Sequence, residues 1–178
     1  ETAREQDGTA DSKAVWSVTM RKRYFPCPVP DTFYTGNTTR NPLAGELQDY
    51  YAWTWGDALF IVLDPFWYTP RQRPNEDNWV RTLGNVQYQW LTRTLEESMA
   101  KYKFVFIHHL VGGLDKDARG GAEAATLYEW GGKNADGTDG FQAHRPGWAM
   151  PVHQLLVKHH VTAVFHGHDH FYDKQESD

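Results

Sequence analysis

Five of the nine histidines in this 178-residue chain, His108, His109, His166, His168 and His170, fall directly after two apolar runs. The runs are Lys103–Phe104–Val105–Phe106–Ile107 and Val161–Thr162–Ala163–Val164–Phe165, each the length of a buried strand. Open α/β folds place their sites at the C-terminal ends of strands, where loops converge above the sheet edge. Neutral imidazole is a nitrogen ligand for Zn, Fe, Mn and related ions. Residues two apart in extended chain point the same way, so His168 and His170 are expected to face one site. Gly167 permits a sharp local path and close approach of a ligand. A single histidine at a strand end is ordinarily a polar residue meeting solvent, so the argument for metal rests on two strand ends that both deliver histidines. His144, His153, His159 and His160 belong to a loop or a short amphipathic helix and read as surface residues. Asp64 closes a third apolar run; it could ligate, but reads better as the hydrogen-bonding partner of the following turn.

The elements that must position these groups are written in the pattern. Tyr50 to Trp55, then Gly56–Asp57, then Ala58 to Asp64 read as strand, tight turn, strand. The second arm is almost wholly apolar, as a strand covered on both faces would be. Pro65 to Asn78 is a long loop. Gly84–Asn85 opens a helix with Asn85 as its N-cap, and Val86, Trp90, Leu91, Thr94, Leu95 and Met99 form its apolar stripe. Lys101 and Lys103 follow near its C-terminal end. Gly112 to Gly147 holds nine of the 15 glycines, interrupted by a short helix around Ala122 to Glu129; so long a loop is usually functional or disordered, and substrate choice is expected there. Pro151 starts a helix over Val152 to His159. Upstream, residues 1–14 are polar and aperiodic and are expected to be poorly ordered. The alternate prolines between Tyr24 and Asp31 dictate extended, irregular chain. Arg21–Lys22–Arg23 reads as a solvated turn.

Composition excludes several classes. With 40% hydrophobic and 23% charged residues the length suits one domain. Mean hydropathy is −0.69, but eight Trp, nine Tyr and nine Phe are far too many aromatics for a disordered chain. No apolar run approaches the roughly 20 residues of a membrane span. A net charge of −5 without Lys/Arg clusters argues against a nucleic-acid-binding surface. The single cysteine, Cys27, excludes an internal disulfide and a cysteine-based zinc site and leaves the compartment open. Neither a nucleotide P-loop nor a Gly-x-Ser-x-Gly elbow occurs.

The run ending in His108–His109 and the run Val161 to Tyr172, with Gly167–His168–Asp169–His170, resemble the last two motifs of the calcineurin-like metallophosphoesterases, which include the purple acid phosphatases. The helix carrying Gln87, Trp90 and Leu91, and Asp64 after the second hairpin arm, fit the same layout. The likeness runs from about Tyr50 to Tyr172. It implies an α/β (α+β) fold, part of a two-sheet αββα sandwich with a dinuclear centre at the strand ends. There, a metal-held hydroxide hydrolyses a phosphate ester. By position, His108 and His168 would bind one metal and His170 the other. His109 sits beside the first ligand as a candidate substrate contact. Leu110 stands where many members have proline.

The family's earlier Asp-x-His, Gly-Asp-x-x-Asp and Gly-Asn-His motifs do not occur; Gly56–Asp57 and Gly84–Asn85–Val86 do not replace them. The resemblance therefore implies that residues 1–178 form a single partial domain, the C-terminal half, with the N-terminal half and its bridging carboxylate missing. Without that bridge, at most one Zn-, Fe- or Mn-class ion is expected, bound weakly, and activity of the chain alone is expected to be weak or nil. Deleted strands would leave an exposed sheet edge and apolar face, so self-association as a dimer is expected. The alternative is a non-catalytic module that holds carbohydrate or protein with Trp53, Trp55, Trp67 and Trp148.

Overall fold

The expected hairpin forms in the computed structural model, which describes residues 12–70, 76–113, 120–170 and 172–176. Helix α1 (Lys13–Tyr24) comes first, then β1 (Thr35–Gly36) and a small antiparallel pair, β2 (Arg40–Asn41) with β3 (Gly45–Glu46). The hairpin is β4 (Tyr51–Trp55) and β5 (Ala58–Val62), antiparallel, turning at Gly56 with φ +56°. Helix α2 (Asn85–Glu97) crosses to β6 (Tyr102–Phe106), which lies parallel to β5. The short helices α3 (Tyr128–Gly131), α4 (Phe141–His144) and α5 (Val152–Lys158) lead to β7 (Ala163–Phe165), parallel to β6. The main sheet has the order β1-β4-β5-β6-β7. Helix and mixed sheet together make an α+β architecture.

Alternation splits the central strands into two faces. Ala52, Leu59, Ile61 and Val105 point into the core, where they join Leu91 and Leu95 of α2 and Val152, Leu155 and Leu156 of α5. Each large aliphatic side chain buried there contributes roughly 1.5–3 kcal/mol relative to exposure. The opposite face carries Trp53, Phe60, Phe104 and Phe165, half-buried or exposed. The second hairpin arm is therefore fully covered on one face only, not on both.

Several expectations need correction. Residues 1–11 lie outside the described set, but Lys13 and Ala14 are helical, not frayed: Ser12 caps α1 by accepting from Val15 N, and Ala14 is buried. Arg21 and Lys22 are not in a solvated turn; they close the last turn of α1 and donate to the carbonyls of Leu47, Gln48 and Ala44. Gly84, not Asn85, is the N-cap of α2, and no side chain caps that end. Its φ of +78° suits glycine, and a Cβ there would lie 2.5 Å from the Tyr68 ring. The helix stops at Glu97, so Met99 lies beyond it and is exposed, as is Val86, while Gln87 and Tyr88 take buried places. In the glycine-rich stretch a 3-10 turn at Ala122–Ala124 and α3 replace the one short helix expected.

Candidate metal centre

Strands β6 and β7 run parallel in the register Phe104↔Ala163, Val105↔Val164, Phe106↔Phe165. The ladder continues past both ends: Ile107 N donates to Phe165 O and Gly167 N to His108 O, each at 3.0 Å. This places His108 opposite the Gly167–His168 segment. His108 Nε2 lies 3.0 Å from His168 Nδ1, the two rings nearly perpendicular at 79° with centroids 5.0 Å apart. Two metal–nitrogen bonds of about 2.0–2.1 Å spanning that separation would subtend about 90–97°, the angle of adjacent ligands in a five- or six-coordinate site. At 3.0 Å the two nitrogens share a hydrogen bond, one ring donating and the other accepting; with that proton displaced, the same separation suits a shared ion and leaves most positions to water or substrate.

The rest of the histidine group is arranged differently from the expectation. Extended geometry ends at Phe165. His168 has φ +86° and His170 φ +57°, left-handed conformations that cost a residue with a Cβ roughly 1–2 kcal/mol each. His168 and His170 consequently do not share one face as alternate strand residues would. His170 is exposed, though near enough for its charge to act on His108. His166 is exposed, with Nδ1 3.4 Å from its neighbour's Gly167 carbonyl. His109 is buried, its ring 5.7 Å from those of both His108 and His168. Among the described residues no group of three or more His, Cys, Asp or Glu is set to hold a metal ion. Burial lowers the His108 pKa, and the neighbouring His168 lowers it further; both favour the neutral ring that a metal requires.

Phe66 forms the apolar wall of this group, with its ring 5.5 Å from His108 and 5.2 Å from His109. Its position follows from Asp64, whose carboxylate accepts from Phe66 N and Trp67 N at 3.1 and 2.9 Å. The turn-partner reading of Asp64 thus describes its contacts. Burial, with the nearby Asp49 charge adding to it, pushes the Asp64 pKa up to about 6. Gln87 on α2 holds the same turn from behind, accepting from Asp64 N at 2.8 Å and donating to Asp64 O at 2.8 Å and Leu83 O at 2.9 Å. Sequence reasoning missed Phe66 altogether. Gln87 was named only among the helix residues that carry the resemblance, with no contact assigned to it.

The glycine-rich segment is pinned by a buried ion pair. Glu129 accepts from Leu83 N at 2.7 Å and from Arg145 Nε at 2.5 Å. Arg145 also donates to Trp79 O and Arg81 O at 2.7 and 3.0 Å, and lies 5.6 and 5.7 Å from the Trp79 and Trp148 rings. Residues 114–119 of the expected substrate loop lie outside the described set.

Of the aromatics of the alternative reading, only Trp53 and Trp55 share a face, the outward side of β4. Trp148 is buried and stacked on Tyr88 at 3.8 Å, Trp53 stacks on Phe60 at 5.0 Å, and Trp67 packs against the cluster of Val15, Val18, Ala44 and Leu47. Trp55 alone among the four is exposed. Comparison with protein-family models, curated proteins and solved structures finds no match to this chain.

Proposed function

We propose that this chain carries part of a metal-dependent phosphoesterase site of the calcineurin-like kind, in which His108 and His168 hold one Zn-, Fe- or Mn-class ion. The observation that carries the reading is the 3.0 Å approach of their ring nitrogens across the ends of two adjacent parallel strands. In the resembled family the facing sheet of an αββα sandwich supplies the remaining ligands; His170 would serve a second ion. Such an ion, when bound, supplies Lewis-acid polarisation of a phosphoryl oxygen. The chain's own residues do the rest of what can be assigned. His108 and His168 offer ring nitrogens, Phe66 keeps water from one side of the rings, and the Asp64–Gln87 contacts fix Phe66. His109 is the candidate substrate contact beside the ligand pair, and as a buried group it would act only on a substrate that reaches past His108. Activity of the chain alone is expected to be weak. Dimerisation, expected from an exposed sheet edge and apolar face, belongs to the same proposal.

The test is metal per chain by elemental analysis after equilibration with Zn²⁺ or Mn²⁺, alongside hydrolysis of an aryl phosphate. Wild type should retain up to one ion, and His108→Ala and His168→Ala should each weaken binding by 10-fold or more. Unchanged metal content in both variants would overturn the assignment.

A further inference from the structure

The outward face of the main sheet is a continuous aromatic surface with no charged side chain on its strand positions; Lys101 Nζ lies 5.1 Å over the Tyr102 ring at its margin. Following the registers, its positions are Tyr51, Trp53 and Trp55 on β4, Ala58, Phe60 and Val62 on β5, Tyr102, Phe104 and Phe106 on β6, and Ala163 and Phe165 on β7. The rings run as a chain across the strands, from Trp53 to Phe60 at 5.0 Å, Phe60 to Phe104 at 5.5 Å, and Phe104 to Phe165 at 6.3 Å. Tyr34 borders the face only on the β4 side, 6.3 and 6.0 Å from the Tyr51 and Trp53 rings. Trp55 is 72% exposed, Phe165 51% and Tyr102 42%.

We propose that this face, and not a strand edge, is where a second copy of the chain docks, face to face, to give a two-fold dimer. The proposal sharpens the dimer expectation stated above: helices α2 and α5 cover the other face, so in this chain alone a second copy takes the place that the facing sheet of the αββα sandwich would hold, and it needs no metal. The two edges of the sheet are poor candidates: β1 has 2 residues and β7 has 3, too few for an added strand to gain much. The face is large enough. A fully exposed aromatic side chain presents on the order of 200 Å², so the three exposed rings and the half-buried ones leave about 600 Å² per copy. Burying about 1,200 Å² in the pair reaches the lower end of stable interfaces. With no charge on its strand positions and Lys101 only at its margin, the patch meets its own symmetry copy with little like-charge repulsion, as an isologous contact requires. Two sheets pack in this way about 10 Å apart with interleaved side chains.

Sedimentation velocity on the wild-type chain between 1 and 100 µM, as round working concentrations, tests this. A concentration-dependent dimer is expected, with Trp55→Glu and Phe165→Glu each weakening it 10-fold or more. Both substitutions sit at exposed rings, and near-ultraviolet circular dichroism checks that the fold survives. Trp16→Glu, on the exposed side of α1, should leave the dimer intact. Should the face variants misfold, wild-type tryptophan emission provides the second readout, shifting to the blue as the chain associates. A wild-type chain that stays monomeric, or a dimer indifferent to both face substitutions, overturns the proposal.

Discussion

Replacing Arg145 by Met isolates the buried Glu129–Arg145 contact. Glu129 is fully buried, and among the described residues Arg145 is its charged partner, in a pair whose side chains are 0% and 13% exposed. The substitution leaves the carboxylate with the Thr82 hydroxyl and the Leu83 N–H, and strips the Trp79 and Arg81 carbonyls of a donor. Breaking a buried pair from one side typically costs 3–5 kcal/mol, because a charge stays behind without its partner. A loss of about 3–4 kcal/mol at pH 7.5 is expected from urea unfolding. Burial already raises the Glu129 pKa above its ordinary value and Arg145 counters it, so removing Arg145 raises it further. A carboxyl with a raised folded pKa favours the neutral form in the fold, and that handicap disappears as pH falls towards the unfolded value. The gap between Arg145→Met and wild type should therefore narrow between pH 7.5 and 5. The double variant Glu129→Gln, Arg145→Met should recover part of the loss, since no charge is then stranded. A single variant within 1 kcal/mol of wild type, a gap that widens on acidification, or a double variant losing the sum of both singles would refute the reasoning.

Two further outcomes are expected. The Asp64 carboxyl should titrate near pH 6 by carbon-13 NMR; because its folded pKa is raised, it should favour folding increasingly as pH drops from above 6 towards 4, and a midpoint near 4 would contradict its burial. Gly84→Ala should cost about 2–4 kcal/mol in thermal or urea unfolding, more than the ~1 kcal/mol of an ordinary glycine replacement, because φ is +78° and the new Cβ would meet the Tyr68 ring at 2.5 Å; a neutral effect would mean the turn can move aside.

Pattern alone determined the β4–β5 hairpin, helix α2, the strand before His108 and the helix after Pro151, because each depends on local periodicity and a turn residue that the chain itself supplies. Helix α1 escaped that reading. Its buried residues Ala14, Val15 and Val18 form a narrow stripe beside an exposed Trp16, although the Ser12 cap and the basic last turn are signals that could have revealed it. The stripe of α2 was drawn with Val86 and Met99 at its ends, but the residues that face the core are those that reach it, and Gln87 does so because Asp64 and Leu83 offer it carbonyls. The histidines were legible as residues, not as a geometry. That His168 meets His108 while His170 stays exposed depends on a backbone that leaves the strand after Phe165 and turns through positive φ. Which side chains lie side by side across β6 and β7 depends on the register between strands that are far apart in sequence. Local pattern carries no register, so only the tertiary fold decides it.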